Sequence, residues 1–264
     1  MPELYNTHYG EFAAEAQEAI RKDTYGEDIG QSSWMTADEM RYFAELLSID
    51  ASTNVLEVGS GSGGPALFLA DLTGCRLTGL DVNEFGILNA NRLAAERGLS
   101  ERVNFEMTDA GEPLPFSDGS FDVVFSNDVM CHVPNRSNVL EEWHRILKPG
   151  GRMLFTDALV ITGIVSHQEI ADRSSIGLYF FLPPGENERM IERAGFKIVS
   201  TEDLTAAAAD VSNRWYNARA NYRDAMIKIE GEENFEGLQN FLSCAHTLTS
   251  ERRLSRFAYH AQRP

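Results

Sequence analysis

The sequence predicts an α/β protein: a seven-stranded, mostly parallel sheet with helices on both faces, an N-terminal lid and a helical cap insertion. Three observations predict it. Short apolar runs alternate with helical segments from Asn54 onward, the first run passes into a glycine-rich turn and a helix start, and acidic residues close successive runs. Such alternation gives parallel strands joined by crossover helices, with ligands collecting at the carboxyl ends of the strands.

At 264 residues the chain can bury a full core and accommodate one catalytic core with additions. Residues 1–48 read as the lid and 49–264 as the core, with cap segments at about 158–190 and 201–253. The formal net charge is -17, from 40 acidic against 23 basic residues. That excess argues against a nucleic-acid partner, whose phosphates need Lys and Arg neutralisation. Cys75, Cys131 and Cys244 lie far apart without metal-ligand spacing, so reduced thiols and no metal site are expected. Met1 to Ile20 is polar and no stretch of about 18 apolar residues occurs, which predicts a soluble, cytoplasmic protein.

Taken in order, Tyr25-Gly26-Glu27-Asp28-Ile29-Gly30-Gln31-Ser32-Ser33-Trp34 is rich in turn residues with two aromatics and reads as a lid segment. Thr36-Ala37-Asp38-Glu39 has the form of a capping box, predicting a helix through Leu47; the plainer alternative is a helix covering a sheet edge. Strand candidates follow at 54–58, 76–80, 102–106, 121–126, 151–157 and 196–200, and Leu254 to Gln262 alternates like a seventh strand.

The first strand runs through Val55-Leu56-Glu57-Val58 into Gly59-Ser60-Gly61-Ser62-Gly63-Gly64, and Pro65 then sits in the first turn of a helix. Glycines there allow a tight turn and close approach to a ligand. The second strand ends at Asp81 and the third passes into Asp109; three acids at strand ends point into one crevice. Asn83 and Phe85 either border a bound ligand or, for Asn83, cap the next helix. Leu147-Lys148-Pro149-Gly150-Gly151 reads as a helix end and turn before the fifth strand.

Gly59, Gly61 and Gly64 satisfy the G-x-G-x-x-G spacing of dinucleotide-binding proteins. Glu57, two residues before the first glycine, favours another family: E-x-G-x-G-x-G resembles motif I of class I S-adenosylmethionine-dependent methyltransferases. The stretches Leu114 to Val124 and Leu147 to Leu154 are similar to the loop and the fourth and fifth strands of these enzymes. The resemblance implies a Rossmann-like fold and S-adenosylmethionine as cofactor, with S-adenosylhomocysteine as product. Glu57 would serve the methionine end of the cofactor, Asp81 both ribose hydroxyls and Asp109 the adenine amino group. Gly59, Gly61, Gly63, Val82, Ala110, Ser126, Asn127, Ser33 and Trp34 would complete the cofactor-binding set.

Ser126-Asn127-Asp128-Val129-Met130-Cys131-His132 resembles the S-x-D-x-x-x-H row lining the pocket of phosphoethanolamine and sarcosine/dimethylglycine N-methyltransferases, and Tyr25 to Ile29 is similar to the lid of the sarcosine type. This implies Asp128, His132 and Tyr25 as catalytic candidates. Asp128 would hold a cationic amine or the amino-acid end of the cofactor. His132, with an ordinary pKa of about 6.5, would take a proton from the acceptor; its structural alternative is a cap on the following helix. Tyr9 or Tyr25 would hydrogen-bond with it.

Tyr9, Tyr179, Phe180 and Arg173 are the candidates for the substrate pocket. The aromatic run 179–181 reads either as a pocket wall or as core, and Arg173 either as partner of a substrate carboxylate or as part of a solvated helix face. His144 reads as packing. Ala158 stands where the phosphoethanolamine enzymes carry a phosphate-binding tyrosine, which speaks against a phosphate pocket. The function expected is methyl transfer to a small-molecule acceptor, an amine nitrogen before the alternatives of O- or C-methylation of a natural product or non-catalytic cofactor binding. The 201–253 insertion is a candidate surface for a homo-oligomer.

Overall fold

The computed structural model describes residues 14–264, so Tyr9 lies outside the described residues. Two helices, α1 (Glu15–Tyr25) and α2 (Ala37–Leu46), precede the sheet. The order then runs β1 (Asn54–Val58), α3 (Gly64–Thr73), β2 (Arg76–Asp81), α4 (Glu84–Glu96), β3 (Val103–Met107), β4 (Phe121–Ser126), a 3-10 turn (Met130–His132), α5 (Arg136–Ile146) and β5 (Leu147–Ile161). After it come α6 (His167–Arg173), α7 (Glu186–Arg193), β6 (Lys197–Asp203), α8 (Thr205–Asn221), α9 (Arg223–Glu230), α10 (Glu232–Ser250) and β7 (Leu254–Gln262).

The sheet order is β3-β2-β1-β4-β5-β7-β6, with β7 antiparallel to both neighbours and the other pairs parallel. Side chains alternate between faces along a strand, so both faces must be covered. Val55, Val123, Phe125 and Leu154 pack with α2, α3 and α4 on one side. Leu56, Val124, Met153 and Phe155 pack with α5 and α7 on the other.

Local chemistry explains the element ends. Thr36 caps α2 by accepting from Glu39 N at 3.2 Å, but the expected reciprocal box does not form, because the Glu39 carboxylate turns inward to Arg256, 2.7 Å away. The reciprocal box occurs at Ser166 and Glu169, ahead of α6. Asn83 caps α4 by accepting from Gly86 N at 3.1 Å, which settles its alternatives in favour of the cap. The turn expected at Pro149-Gly150-Gly151 lies inside β5, whose pairing with β4 shifts register between Phe121 and Val123. Backbone bonds of Gly150 and Gly151 with Arg263 carry the strand through this irregularity.

Residues 15–46 divide between two layers. Helix α2 packs on α3 against one face of the sheet, burying Met40 and Phe43, the latter beside Phe125 of β4. Helix α1 packs instead on α8, where Ile20 meets Ala218, Met226 and Phe235. Helices α1, α8 and α10 therefore make one helical layer over the carboxyl ends of β4 and β5, with Tyr25, Trp34, Ala158, Leu238 and Phe241 in a common cluster.

Candidate active site

A cavity of about 720 Å³ opens at the carboxyl ends of β1, β2 and β4, within the size range of small-molecule sites. It has two halves. One is built by the glycine turn and strand ends, the other by the 3-10 turn, residues 173–179 and the helical layer.

In the first half the turn after β1 is tied to β2. Gly59 N and Ser60 N donate to Leu80 O at 2.7 and 2.9 Å, and Gly61 N donates to Asp81 Oδ2 at 2.8 Å. Asp81 Oδ1 accepts from Asn83 N at 2.8 Å, which fixes this carboxylate at the cavity wall. Gly59 has φ +80°, and a Cβ there would overlap Val129, so only glycine turns the chain here. Glu57 is 3% exposed and its Oε2 meets no hydrogen-bond partner. Burial, helped by the neighbouring Asp81 charge, pushes its carboxyl up to about 8. Ser60 and Ser62 hydroxyls are also buried without partners. An orphaned buried acid beside a glycine turn is a site waiting for a donor, and a cationic ammonium is the donor that suits it.

Gly61, Val82, Asp109 and Ala110 line the cavity as expected, Asp109 accepting from Gly111 N at 2.8 Å. Gly63 and Ser126 do not. Gly63 has φ +77° and lies so close to Ala90 and Phe105 that a Cβ would overlap both, so it serves helix packing. Ser126 is buried and donates to Val58 O at 2.9 Å, tying β4 to β1.

The loop after β4 joins the halves. Asp128 lines the cavity with φ +55°, but its carboxylate is already engaged. Oδ1 accepts from Arg256 Nε and Thr156 Oγ1, both at 2.9 Å, and Oδ2 accepts from Trp34 N at 3.2 Å. Asp128 thus ties the Trp34 backbone to Arg256 and Thr156 while lining the cavity where an amine or the amino-acid end of the cofactor is expected against it. Asn127 Oδ1 accepts from Arg256 Nη2 at 2.9 Å, and its Nδ2 donates to Ser33 Oγ at 2.6 Å. Arg256, Thr156 and Glu39 escape the sequence reading. Thr156 and Arg256 sit in no motif and Glu39 reads only as the acid of a capping box, and the insertion of β7 between β5 and β6 brings Arg256 to Asp128.

Tyr25 is not at the cavity: its hydroxyl donates to Ser33 O at 2.8 Å, burial raises its pKa, and it anchors the segment carrying Ser33 and Trp34. Ser33 and Trp34 do line the cavity. Phe180 does not either. Its backbone is consumed by Cys131 O and by Arg136, which locks the segment onto the 3-10 turn.

His132 and Tyr179 stand together on the second half, ring centroids 4.5 Å apart. His132 Nδ1 lies 2.9 Å from Leu178 O. A carbonyl only accepts, so Nδ1 carries the proton and Nε2 the lone pair. Burial holds the imidazole below its ordinary pKa, hence neutral near pH 7. It does not cap α5, which begins after Asn135 without a side-chain cap. Arg173 is buried, not on a solvated face: its guanidinium stacks over Phe241, Tyr179 and Trp34 at 4.4, 5.0 and 5.7 Å. Trp215 and Leu238 add to this wall from α8 and α10. His144 packs edge-on to Phe196. Among the described residues no cluster of His, Cys, Asp or Glu is placed to hold a metal ion, and no helix is long and apolar enough to cross a membrane.

Comparison with known proteins agrees with this geometry. Residues 56–155 match the family model described as "Methyltransferase domain". A sterol 24-C-methyltransferase of Gibberella zeae is 33% identical over 73% of the chain and 51% of its own length. A sarcosine/dimethylglycine N-methyltransferase of Halorhodospira halochloris is 33% identical over 68% of the chain and 63% of its own length. The chain thus spans between half and two thirds of these relatives. A phosphoethanolamine N-methyltransferase of Haemonchus contortus, solved with S-adenosylhomocysteine, shares the fold with a TM-score of 0.82 at 19% identity, over 100% of this chain and 61% of that one. The glycine turn, the strand-end acids and the sheet order with its antiparallel seventh strand belong together: the chain carries a methyltransferase domain of the class I family, whose cofactor is S-adenosylmethionine.

Proposed function

We propose that the protein transfers a methyl group from S-adenosylmethionine to a small-molecule acceptor, and that the acceptor atom is an amine nitrogen. The cofactor supplies an electrophilic methyl group on a sulfonium. Glu57 is suited to receive its ammonium, the orphaned Oε2 gaining the charged donor it lacks. Asp81, held by Gly61 N and Asn83 N, presents its carboxylate to the ribose hydroxyls, and Asp109 with Ala110 borders the adenine.

The observation that carries the acceptor reading is His132, a neutral imidazole on the cavity wall with its tautomer set by Leu178 O. An amine arrives at neutral pH as an ammonium without a lone pair, so a neutral base must first remove its proton. The rings of Trp34, Tyr179 and Phe241, with Arg173 stacked over them, form an apolar wall that excludes water from the site. Asn127 and Asp128 act by positioning, since they pin Ser33 and Trp34 over the site. The fungal relative named for a sterol carbon keeps C-methylation as the second reading, in which the same imidazole takes its proton from an activated carbon.

The test is product formation across amines, phenols and carbon acids, with His132→Ala beside the native chain. Turnover should fall by about 10²–10⁴-fold in the variant, while S-adenosylhomocysteine affinity measured by calorimetry stays nearly constant. Turnover confined to phenols or carbon acids would move the acceptor atom. Tight cofactor binding with no turnover on any class would leave a cofactor-binding protein.

A further inference from the structure

Among the described residues five arginines are buried: Arg21, Arg136, Arg173, Arg219 and Arg256. Four have a carboxylate partner. Arg21 meets Asp28 at 3.0 Å, Arg136 meets Asp157 at 2.5 Å, Arg219 pairs with Glu230, and Arg256 lies between Glu39 and Asp128. Arg173 has none among the described residues, and its Nη1 is buried without any hydrogen-bond acceptor.

That imbalance calls for a physical cause. A buried guanidinium without a counter-ion loses its hydration with nothing equivalent in return. Stacking on Phe241, Tyr179 and Trp34 recovers a part, about 0.5–2 kcal/mol for a contact of this kind. Rings satisfy the face of the guanidinium, however, and leave the in-plane N–H groups wanting an acceptor. Arg173 is also the one arginine or lysine among the described residues that line the cavity, whose other charged side chains, His132 apart, are carboxylates. The rest of the cavity is therefore of the wrong sign to attract an anion, and Arg173 marks where one can sit.

Resting on the reading of this cavity as a methyl-transfer site, we propose that Arg173, in its cage of Trp34, Tyr179 and Phe241, binds a carboxylate of the acceptor molecule. A single guanidinium matches one carboxylate in charge and in planar two-point geometry. It does not balance a phosphate dianion, and Ile176, Leu178 and the three rings add apolar wall rather than further donors. The acceptor is thus an organic acid with an apolar or aromatic body. Its anionic end is one aromatic ring from the base, because Tyr179 packs against both Arg173 and His132.

Benzoate, its neutral isostere benzamide and phenyl phosphate probe the site directly, by calorimetric titration of the full chain both free and loaded with S-adenosylhomocysteine. Benzoate should bind at least about tenfold more tightly than benzamide, as expected for one charged hydrogen-bonded pair. Arg173→Gln should erase that preference and Arg173→Lys should keep part of it, with S-adenosylhomocysteine affinity and the far-ultraviolet circular dichroism spectrum retained in both. Benzoate binding no better than benzamide, or a preference that survives in Arg173→Gln, overturns the proposal. Phenyl phosphate binding above benzoate overturns the carboxylate assignment. Failure of S-adenosylhomocysteine to bind would count against the methyl-transfer reading alone, since titration of the free chain still reads the anion site.

Discussion

The two halves of the cavity are held together in different ways. The cofactor half rests on bonds close in sequence: Gly61 with Asp81, 20 residues apart, and Asp81 with Asn83, 2 apart. The acceptor half rests on Asp128 with Trp34, 94 apart, and on Asp128 with Arg256, 128 apart. A short-range site is encoded by a motif and survives changes elsewhere in the chain. A long-range site depends on the whole fold closing around it, which leaves its lining open to change while one buried ion cluster keeps it in place.

Removing Arg256 should break the acceptor half most severely. Arg256→Met strands Asp128 and Glu39 as buried acids, and losing one member of such a cluster costs about 3–5 kcal/mol. Chemical denaturation should show a loss of that order. Adding Asp128→Asn and Glu39→Gln should restore much of the stability, since uncharged groups no longer need the arginine. Full stability in the single variant would place the hold on the Ser33–Trp34 segment elsewhere.

Glu57→Gln should separate binding from stability in the cofactor half. Loss of a buried carboxylate against an ammonium should weaken cofactor affinity by about 10²-fold, read by calorimetry. The stability of the unliganded protein should move the other way. Below the ordinary value of 4.5 both states hold the Glu57 proton; between 4.5 and about 8 the folded state holds it while the unfolded chain releases it. Native stability contributed by this group therefore falls as pH rises through that window. The glutamine variant should show a flatter profile and, at pH 8, a higher melting temperature than the native chain.

Asn83→Ala should have the smallest effect. The variant loses the cap that accepts from Gly86 N, about 1 kcal/mol, while Asn83 N still donates to Asp81. The midpoint of denaturation should shift with little change in cofactor affinity. A large loss of affinity would mean that the cap and the carboxylate act as one unit.

The same contrast governs what was legible in the sequence. Glu57, Gly59 and Gly61 could be read because a strand, a turn and a helix start fix their places within a few residues, and Asp81 and Asp109 because each follows an apolar run that ends at the same side of the sheet. Strand β7 was legible from its alternation, and its antiparallel sense from the family resemblance. Arg256 within β7 was not, because nothing local distinguishes an inward arginine that meets Asp128 from an outward one on the same alternating strand. Tyr25 and Phe180 looked like pocket residues by type, yet their polar atoms serve Ser33, Cys131 and Arg136. Arg173 beside Asp172 reads more readily as a solvated face, and only Phe241, nearly seventy residues on, closes over it.

The position of Arg256 also bears on how the molecule is made. Ribosomes add about 5–20 residues per second, so roughly 6 to 26 s separate the synthesis of Asp128 from that of its partner 128 residues later. Throughout that interval the residues of the glycine turn and the first four strands have been synthesised, while Asp128 lacks Arg256. Of the seven strands described, β7 is synthesised after the other six, and it is the one that locks the two halves together.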